Sequence, residues 1–332
     1  MSTLNVVVPQ PTGVCSGVAN ALNALKELRE KHPAARIFTN HQTVHHGAAD
    51  AILEENDIAV VDPADLQYLQ PGDLVVGSAH GTPQWEIDAI HRRGARFWDT
   101  ACPLVSANSG WIANPRNNVV VYVGKPGHRE FEAAVNRARG AHCFVVDLHQ
   151  ESIDEVVSGV RKIGRILPVV LIRQTTIPGN DANVLRIRQA LQGALPGFPF
   201  PGDHGECYAT QNRQVSLVRG IEEWNPQAVL VLTAENSSNG MALVRTAELQ
   251  AQPVFYGEYP EDLIWKAEAS LEQEQTEVVL LVAAASVISS VLEGAVSELC
   301  SFARVRGREC KVVYPWLVDA GREPTFKPLT LS

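Results

Sequence analysis

The feature that most constrains the fold is a set of short apolar runs, rich in β-branched residues, that recur along the chain. They cover residues 5–9, 74–77, 118–124, 167–172, 228–233 and 277–283. Runs without polar alternation are typical of strands that are buried on both faces. Amphipathic segments lie between them, for example at 18–31 and 181–191. This alternation predicts an α/β fold with parallel sheets.

Small polar residues gather just after five of these runs, at 78–81, 125–130, 173–176, 234–239 and 286. In open parallel sheets, ligands bind outside the carboxyl ends of the strands. The clusters therefore predict one polar pocket to which several lobes contribute. Each cluster by itself is also typical of a helix N-cap, and only their number favours a shared site.

The charge balance and the hydropathy exclude two classes of partner. The chain has 332 residues and a formal net charge of -9, and it has no run rich in Lys and Arg. We therefore expect no nucleic-acid partner, because tight binding to a phosphate backbone depends on such residues. The longest apolar run, at 278–286, is far shorter than a membrane span, so no membrane association is expected.

The N-terminal segment has no basic residues ahead of an apolar stretch and does not resemble a signal peptide. We therefore expect a cytoplasmic protein. Thiols stay reduced in that compartment, so structural disulfides are not expected among the six cysteines.

Three cysteines lie in comparable surroundings of small and polar residues: Cys15 in GVCSG, Cys102 in DTACPL and Cys207 in GECYAT. One falls in each interval of domain-like length, which predicts three α/β lobes around a central point. The other three cysteines lack such surroundings and are interpreted as structural. The predicted organisation is an N-terminal strand with the first cysteine at 1–16, lobes at 17–102, 103–206 and 207–299, and a C-terminal extension at 300–332.

Three converging thiolates would suit a metal centre. With a histidine as fourth ligand they could hold zinc. Alone they could hold a cubane iron–sulfur cluster in which one iron has no protein ligand. Such an iron can act as a Lewis acid toward an oxygen atom of a substrate. The spacing of the cysteines does not choose between these metals.

Histidines and a carboxylate also stand near the predicted strand ends. His45, His80 and His128 could bind a diphosphate together with Ser, Thr and Asn donors, although a lone His is more often a surface or capping residue. Glu130 could relay a proton to a leaving hydroxyl, with a threonine of the 173–176 cluster nearby. The alternative for Glu130 is a solvated charge in the first turn of a helix.

Taken together, these segments resemble the 4-hydroxy-3-methylbut-2-enyl diphosphate reductases of the methylerythritol phosphate route to isoprenoids. The resemblance spans about residues 5–290. It rests on GVCSGV at 13–18, the His45 segment, SAHG at 78–81, DTACPLV at 99–105, GHRE at 127–130, QTT at 174–176, ECYATQNRQ at 206–214, ENSSN at 235–239 and AAAS at 283–286.

The resemblance implies a role for each matching residue. Cys15, Cys102 and Cys207 would ligate a [4Fe-4S] cluster with an open iron. Glu130 would donate protons, and Thr175 would contact the hydroxyl group of the substrate. The diphosphate would be bound by His45, His80, His128, Thr176, Ser237, Ser238, Asn239 and Ser286.

The resemblance also implies a reaction and an electron donor. The allylic hydroxyl of 4-hydroxy-3-methylbut-2-enyl diphosphate would leave as water, and isopentenyl and dimethylallyl diphosphate would form. Electrons from reduced ferredoxin or flavodoxin would pass through the cluster.

The chain departs from the family's pattern around these residues. At 106–109 it lacks the basic residue and the His of the usual P-L-V-x-K-V-H, and Gly110 and Pro115 would weaken the helix expected there. Arg129 stands where the usual G-H-P-E-V has proline. Two alternatives therefore stay open: a paralogous iron–sulfur enzyme with a different allylic or phosphorylated substrate, and a zinc-bound or metal-free small-molecule binding protein.

Overall fold

The computed structural model describes residues 2–41, 47–138, 142–250 and 253–318, apart from the side chain of Asp203. The strands in this part of the chain are β1 (Thr3–Val7), β2 (Ile37–Asn40), β3 (Ile58–Val61), β4 (Leu74–Val76), β5 (Arg96–Trp98), β6 (Val119–Gly124), β7 (Cys143–Asp147), β8 (Val169–Arg173), β9 (Asp203–His204), β10 (Ala228–Leu232), β11 (Val254–Gly257), β12 (Val278–Ala283) and β13 (Glu309–Val313). The α-helices are α1 (Ser16–Lys31), α2 (Ala48–Glu55), α3 (Gln84–Arg92), α4 (Pro103–Ala113), α5 (Arg129–Arg137), α6 (Asp154–Lys162), α7 (Ala182–Ala194), α8 (Tyr208–Trp224), α9 (Ser238–Glu248), α10 (Pro260–Leu271) and α11 (Ser289–Val305).

The first of two compact units contains the described residues of Met1–Leu22, Val44–Glu55 and Tyr208–Ser332. Its sheet has the strand order β11-β10-β12-β1-β13, and each neighbouring pair is parallel. Helices α10 and α11 pack on one face of this sheet, and α8 and α9 pack on the other. The central strands are therefore buried on both sides, as their unbroken apolar runs predict.

The second unit contains the described residues of Asn23–Thr43 and Asn56–Cys207. It holds two four-stranded sheets with the orders β3-β2-β4-β5 and β7-β6-β8-β9, and their strand pairs are also parallel. Strands β6 and β8 are buried along their whole length, whereas the edge strands β3 and β5 are partly exposed. A parallel arrangement places the carboxyl ends of all strands of a sheet at one edge, where the polar clusters begin.

The predicted α/β class with three parallel sheets is confirmed. Each apolar run of the sequence overlaps a strand, namely β1, β4, β6, β8, β10 or β12. The predicted C-terminal extension adds β13 as an edge strand beside β1. The lobe boundaries given above stay a prediction. Within the described ranges, no helix has the length and hydropathy that a membrane span requires.

The expectation that no cysteine forms a structural disulfide is wrong for Cys300 and Cys310. Cys300 lies on α11, and Cys310 lies on β13. A turn through Gly307, which has a positive φ of 71°, returns the chain from the helix to the strand. The two Cα atoms thereby come within 5.2 Å of each other, a separation that a disulfide spans. This pairing depends on how a helix packs beside an edge strand, and neither sequence spacing nor the expected compartment signals it.

Gly110 and Pro115, which were expected to weaken the helix after Cys102, lie inside that helix and just beyond its end. Helix α4 forms with Pro103 at its first position, where a proline is well tolerated. Gly110 lies inside the helix, and the helix ends at Ala113, two residues before Pro115. The second proline therefore limits the length of α4 without preventing its formation.

Candidate active site

A buried carboxylate and a threonine form the centre of the polar residues in the second unit. Glu130 is 2% exposed and lies in the first turn of α5, shortly after β6 ends. Its Oε1 accepts a hydrogen bond from the backbone N–H of Thr175 at 2.9 Å, and its Oε2 accepts one from the Thr175 hydroxyl at 2.7 Å. Thr175 follows β8, the parallel neighbour of β6, so the two residues meet at one sheet edge as the strand-end rule predicts.

The surroundings of Glu130 bring its ionisation close to neutral pH. Burial raises the pKa of Glu130 to about 7, and the hydrogen bonds from Thr175 and Asn108 offset only part of that effect. Burial, and then the charge of Glu130, also raise the pKa of Tyr122 well above its ordinary value. A carboxyl group that gains and loses its proton near pH 7 is suited to general acid catalysis.

Asn108 is a site residue that the sequence analysis missed. It is 4% exposed on α4, and its side chain hydrogen-bonds to Glu130 while its Nδ2 donates to the backbone oxygen of Arg173 at 3.1 Å. A Cβ atom at Gly205 would lie 2.7 Å from Nδ2 of Asn108, and φ there is +98°, so this close approach requires glycine. In the sequence, the departure at 106–109 is the loss of a basic residue and a histidine. It also supplies an amide that holds the carboxylate.

The backbone of Cys207 is hydrogen-bonded to the backbone of Thr175, the threonine that contacts Glu130. The backbone N–H of Cys207 donates to the oxygen of Thr175 at 3.0 Å. The preceding residue, Glu206, accepts a hydrogen bond at 2.9 Å from Nη2 of Arg173, which is 2% exposed at the end of β8. These contacts fix the loop that carries Cys207 to the strand end that carries Thr175.

Thr176 follows at the same strand end and is half-buried. Its hydroxyl accepts a hydrogen bond at 2.9 Å from the side chain of Gln174. Gln174 in turn accepts one at 3.0 Å from the backbone N–H of Lys125, at the end of β6. Thr176 is thereby held near the ends of two neighbouring strands, and its role in substrate binding stays a prediction.

Two of the three predicted diphosphate-binding histidines lie together. The rings of His80 and His128 make an edge contact with a centroid distance of 5.2 Å and an interplanar angle of 79°. His128 is the N-cap of α5, and its Nδ1 accepts a hydrogen bond at 3.2 Å from the backbone N–H of Glu130. In the neutral ring, the proton is therefore on Nε2. His45 lies outside the described residues.

In the first unit, Asn239 connects two of the segments predicted to bind the diphosphate. It is 8% exposed, and its Oδ1 accepts a hydrogen bond at 3.1 Å from the backbone N–H of Ala285. Its Nδ2 donates to the Thr210 hydroxyl at 2.6 Å. The next residue after Ala285 is Ser286, whose buried Oγ has no hydrogen-bond partner among the described residues. A buried hydroxyl of this kind can donate to a ligand oxygen.

Ser237 and Ser238 lie at the start of α9, in the same unit. Ser237 is the N-cap, and its Oγ accepts a hydrogen bond at 3.2 Å from the backbone N–H of Gly240. Ser238 is the first helical residue and is half-buried. Hydroxyl groups and backbone N–H groups at a helix N-terminus can bind phosphate oxygens, although the N-cap bond of Ser237 also serves the helix itself.

Cys15 lies beside the segment that carries Ser286. The backbone N–H of Cys15 donates to the oxygen of Ala285 at 3.1 Å, and the N–H of Val18 donates to the Cys15 sulfur at 3.5 Å. The guanidinium of Arg213, which is 3% exposed, donates to two backbone oxygens of the loop before Cys15. These contacts hold the loop in one conformation at the carboxyl end of β12.

The three cysteines predicted to bind a cluster share one local setting. All are half-buried; Cys102 is the N-cap of α4, and Cys15 and Cys207 directly precede α1 and α8. The thiolate is the form of cysteine that binds metals. Cys143, by contrast, lies in β7, where burial raises its pKa to about 11. In the part of the chain that the structure describes, no group of three or more His, Cys, Asp or Glu could hold a metal ion, so the meeting of the three cysteines stays a prediction.

Comparison with known proteins identifies relatives of this chain. Residues 6–300 match the family model described as LytB protein. The 4-hydroxy-3-methylbut-2-enyl diphosphate reductase of Bordetella bronchiseptica is 31% identical over 245 residues, which cover 73% of this chain and 71% of that protein. The 4-hydroxy-3-methylbut-2-enyl diphosphate reductase 2 of Burkholderia mallei is 31% identical over 265 residues, which cover 78% of this chain and 76% of that protein.

Two solved structures are similar in fold. One is the structure of the E-1-hydroxy-2-methyl-but-2-enyl-4-diphosphate reductase from Plasmodium falciparum, with a TM-score of 0.74 at 20% sequence identity. The match covers 99% of this chain and 96% of the Plasmodium chain. The other is a structure of (E)-4-hydroxy-3-methyl-but-2-enyl diphosphate reductase, with a TM-score of 0.63 at 18% sequence identity. That match covers 89% of this chain and 99% of the chain in that structure. At these identities the similarity shows the fold alone.

Proposed function

This chain belongs to the LytB protein family, and on that basis we propose that it is a 4-hydroxy-3-methylbut-2-enyl diphosphate reductase of the methylerythritol phosphate pathway, acting in the cytoplasm. The reaction replaces an allylic C–O bond by a C–H bond. Two electrons and two protons convert the substrate into isopentenyl or dimethylallyl diphosphate and water. The names of the relatives that match most of the chain support this proposal.

The observation that carries the proposal is the buried pair of Glu130 and Thr175. The leaving hydroxyl must be protonated before it departs as water, which requires an acid that still holds a proton at neutral pH. Burial raises the pKa of Glu130 to about 7, so a large fraction of this carboxyl group is protonated there. Thr175, bound to the carboxylate at 2.7 Å, orients the substrate hydroxyl beside the proton.

We assign Cys15, Cys102 and Cys207 as ligands of a [4Fe-4S] cluster. The donor set fits this group, since free cysteine sulfurs are the ligands that iron–sulfur clusters take. When bound, such a cluster supplies single electrons and Lewis acidity at the iron that has no protein ligand. Reduced ferredoxin or flavodoxin is the proposed electron donor.

We assign the binding of the diphosphate on the matching motifs and on the donors that each unit presents. In the second unit, the edge-on ring pair of His80 and His128 supplies N–H donors beside Glu130. In the first unit, the buried Ser286 hydroxyl still has a hydrogen bond to give. The complete assigned set is His45, His80, His128, Thr176, Ser237, Ser238, Asn239 and Ser286.

The deciding experiment is anaerobic purification followed by an assay with 4-hydroxy-3-methylbut-2-enyl diphosphate and a strong one-electron reductant. We expect a brown protein with about four iron and four sulfide per chain, the stoichiometry of a [4Fe-4S] cluster, and formation of both isoprenoid diphosphates. A brown protein that leaves this substrate unchanged would refute the proposal in favour of a paralogous iron–sulfur enzyme. A colourless protein, with or without zinc, would refute it in favour of a binding protein.

A matched pair of cysteine variants tests the cluster assignment separately. Cys102→Ser removes one assigned ligand, and we expect loss of iron and of turnover while the chain stays folded. Cys143→Ser changes a half-buried cysteine in β7 and is expected to keep the iron content of the parent. Equal iron in the two variants would contradict the assignment.

A further inference from the structure

A second buried carboxylate, Glu86 on α3, lies at the centre of a polar cluster in the second unit. Its side chain is fully buried. Arg129 binds both of its oxygens, with Nη1 to Oε1 at 2.9 Å and Nη2 to Oε2 at 2.8 Å. Asn40 donates to Oε2 at 3.0 Å and to the Thr82 hydroxyl at 3.1 Å. His41 Nε2 lies 3.6 Å from Glu86 Oε2.

This cluster joins the segments that carry the two histidines in edge contact. Arg129 directly follows His128, and Thr82 stands two residues after His80. Asn40, the last residue of β2, bridges from Thr82 to the carboxylate. Because the carboxylate is fully buried, it acts on these neighbouring segments and not on a ligand in solvent.

The position of Arg129 explains why the segment after His128 needs the ion pair with Glu86. It is the first residue of α5, directly after the N-cap His128. Proline is favoured at this position because its fixed φ prearranges the first turn, and the related motif G-H-P-E-V has proline there. Arginine has no such restraint. A bidentate ion pair with a buried carboxylate supplies a directional restraint in its place.

We propose that Glu86 and Arg129 are a positioning pair that holds His80 and His128 in the geometry that binds a diphosphate group. The pair restrains His128 through the first turn of α5, and it restrains the His80 segment through Asn40. This inference deepens the proposed function and rests on it for the identity of the substrate.

The test compares Arg129→Gln with a matched ion-pair control. Arg36→Gln breaks the 2.9 Å pair between Arg36 and the buried Asp73 in the same unit. Asp73 directly precedes β4, whereas His80 follows the other end of that strand. The readouts are the KM for the allylic diphosphate and the Kd of inorganic diphosphate, measured by calorimetry. For Arg129→Gln we expect both to rise about tenfold with kcat within about threefold of the parent, and for Arg36→Gln we expect both to stay within twofold.

Two outcomes overturn the inference. One is an Arg129→Gln protein that binds inorganic diphosphate as tightly as the parent does. The other is a loss of affinity of equal size in Arg36→Gln, which would show that breaking either ion pair of this unit weakens binding. Should Arg129→Gln not fold, Arg129→Lys keeps the charge without the guanidinium fork, and parent values of KM and Kd in that variant would also overturn it. A parent that does not turn over the substrate refutes the proposed function instead, because calorimetry with inorganic diphosphate requires no turnover.

Discussion

Glu86 and Glu130 are buried carboxylates of the same unit that differ in the charge of their partners. Glu86 is bound on both oxygens by the cation of Arg129, whereas Glu130 is bound by neutral donors from Thr175 and Asn108. Burial by itself raises the pKa of either group. At Glu86 the hydrogen bonds and charge around it outweigh burial, so its pKa lies below the ordinary value, while at Glu130 they do not and the pKa is about 7.

This difference separates a structural carboxylate from one suited to proton transfer. A carboxylate paired with a cation stays ionised at neutral pH, and its charge can tie segments of chain together. A carboxylate that has only neutral donors in a buried setting can hold a proton near pH 7 and release it to a substrate. Burial is shared by the two groups, so the partner decides the role.

The largest effect is expected on turnover when Glu130 loses its acidity. Glu130→Gln keeps the shape and one hydrogen-bond acceptor, but it cannot deliver a proton, so we expect kcat to fall by about 10²- to 10⁴-fold. KM and iron content should change little. The matched control is Glu155→Gln, another glutamate in the first turn of a helix in the same unit but exposed. If Glu130→Gln and Glu155→Gln turn over at similar rates, Glu130 is not the acid.

The next effect concerns stability. The substitution Arg129→Gln removes the arginine cation that binds Glu86, so that Glu86 has mostly neutral donors, as Glu130 does. Arg129→Gln leaves a buried carboxylate without its cation, and we expect a loss of about 3 kcal/mol in the free energy of unfolding at neutral pH. Arg36→Gln removes a cation that is half-exposed and should cost less than about 1 kcal/mol. Urea denaturation of both variants measures the difference.

The stability lost in Arg129→Gln should change with pH in a direction that can be checked. In the parent, the lowered pKa of Glu86 means that its stabilising contribution is present above the ordinary glutamate value and is lost as pH falls through the folded value. In Arg129→Gln, the hydrogen bonds and charge of Arg129 no longer oppose burial, His41 remains as the other group that lowers the pKa of Glu86, and that pKa rises. The stability gap between parent and variant should therefore narrow as the solution is acidified. A gap that widens at low pH would contradict the ion-pair account.

Glu130 should show the opposite pH dependence. Because its folded pKa is raised to about 7 from an ordinary 4.5, its favourable contribution is complete below about pH 4.5 and is lost as pH rises through 7. A shift of this size corresponds to roughly 3 kcal/mol. Urea denaturation at pH values across this range should show that, as pH rises, the free energy of unfolding of the parent falls by about that amount relative to Glu130→Gln. Parallel curves for the two proteins would mean that folding does not raise the pKa of the carboxyl group.

The central strands could be predicted because a strand that is buried on both faces consists of consecutive apolar residues. Strand β6, with every residue buried, is an unbroken run of apolar residues, as are β10 and the part of β8 before Arg173. The edge strands β3 and β5 carry exposed residues and left no such record. The proximity of Glu130 to Thr175 followed from the strand-end rule, since both stand just after neighbouring parallel strands.

The contacts of Arg129 with Glu86 and of Asn108 with Glu130 could not be predicted in the same way. In the sequence, Arg129 is only a departure from proline, and the residue that it binds lies 43 positions away along the chain. Asn108 reaches Glu130 only because α4 packs beside the end of β8, with Gly205 leaving the necessary space. Such contacts depend on packing between elements, which neither periodicity nor motif spacing records.

The smallest effect is expected from Asn108, and it tests whether neutral donors tune Glu130. Asn108→Leu removes a hydrogen bond that favours the charged carboxylate, so the pKa of Glu130 should rise and the fall of kcat on the alkaline side should move to higher pH. The lost bonds to Glu130 and to the Arg173 oxygen should cost about 1–2 kcal/mol of stability. Ser106→Ala, at an exposed position of the same helix, is the control for both measurements. A destabilised Asn108→Leu protein with an unshifted pH profile would mean that Asn108 only supports the fold, and that Glu130 depends on burial and Thr175 alone.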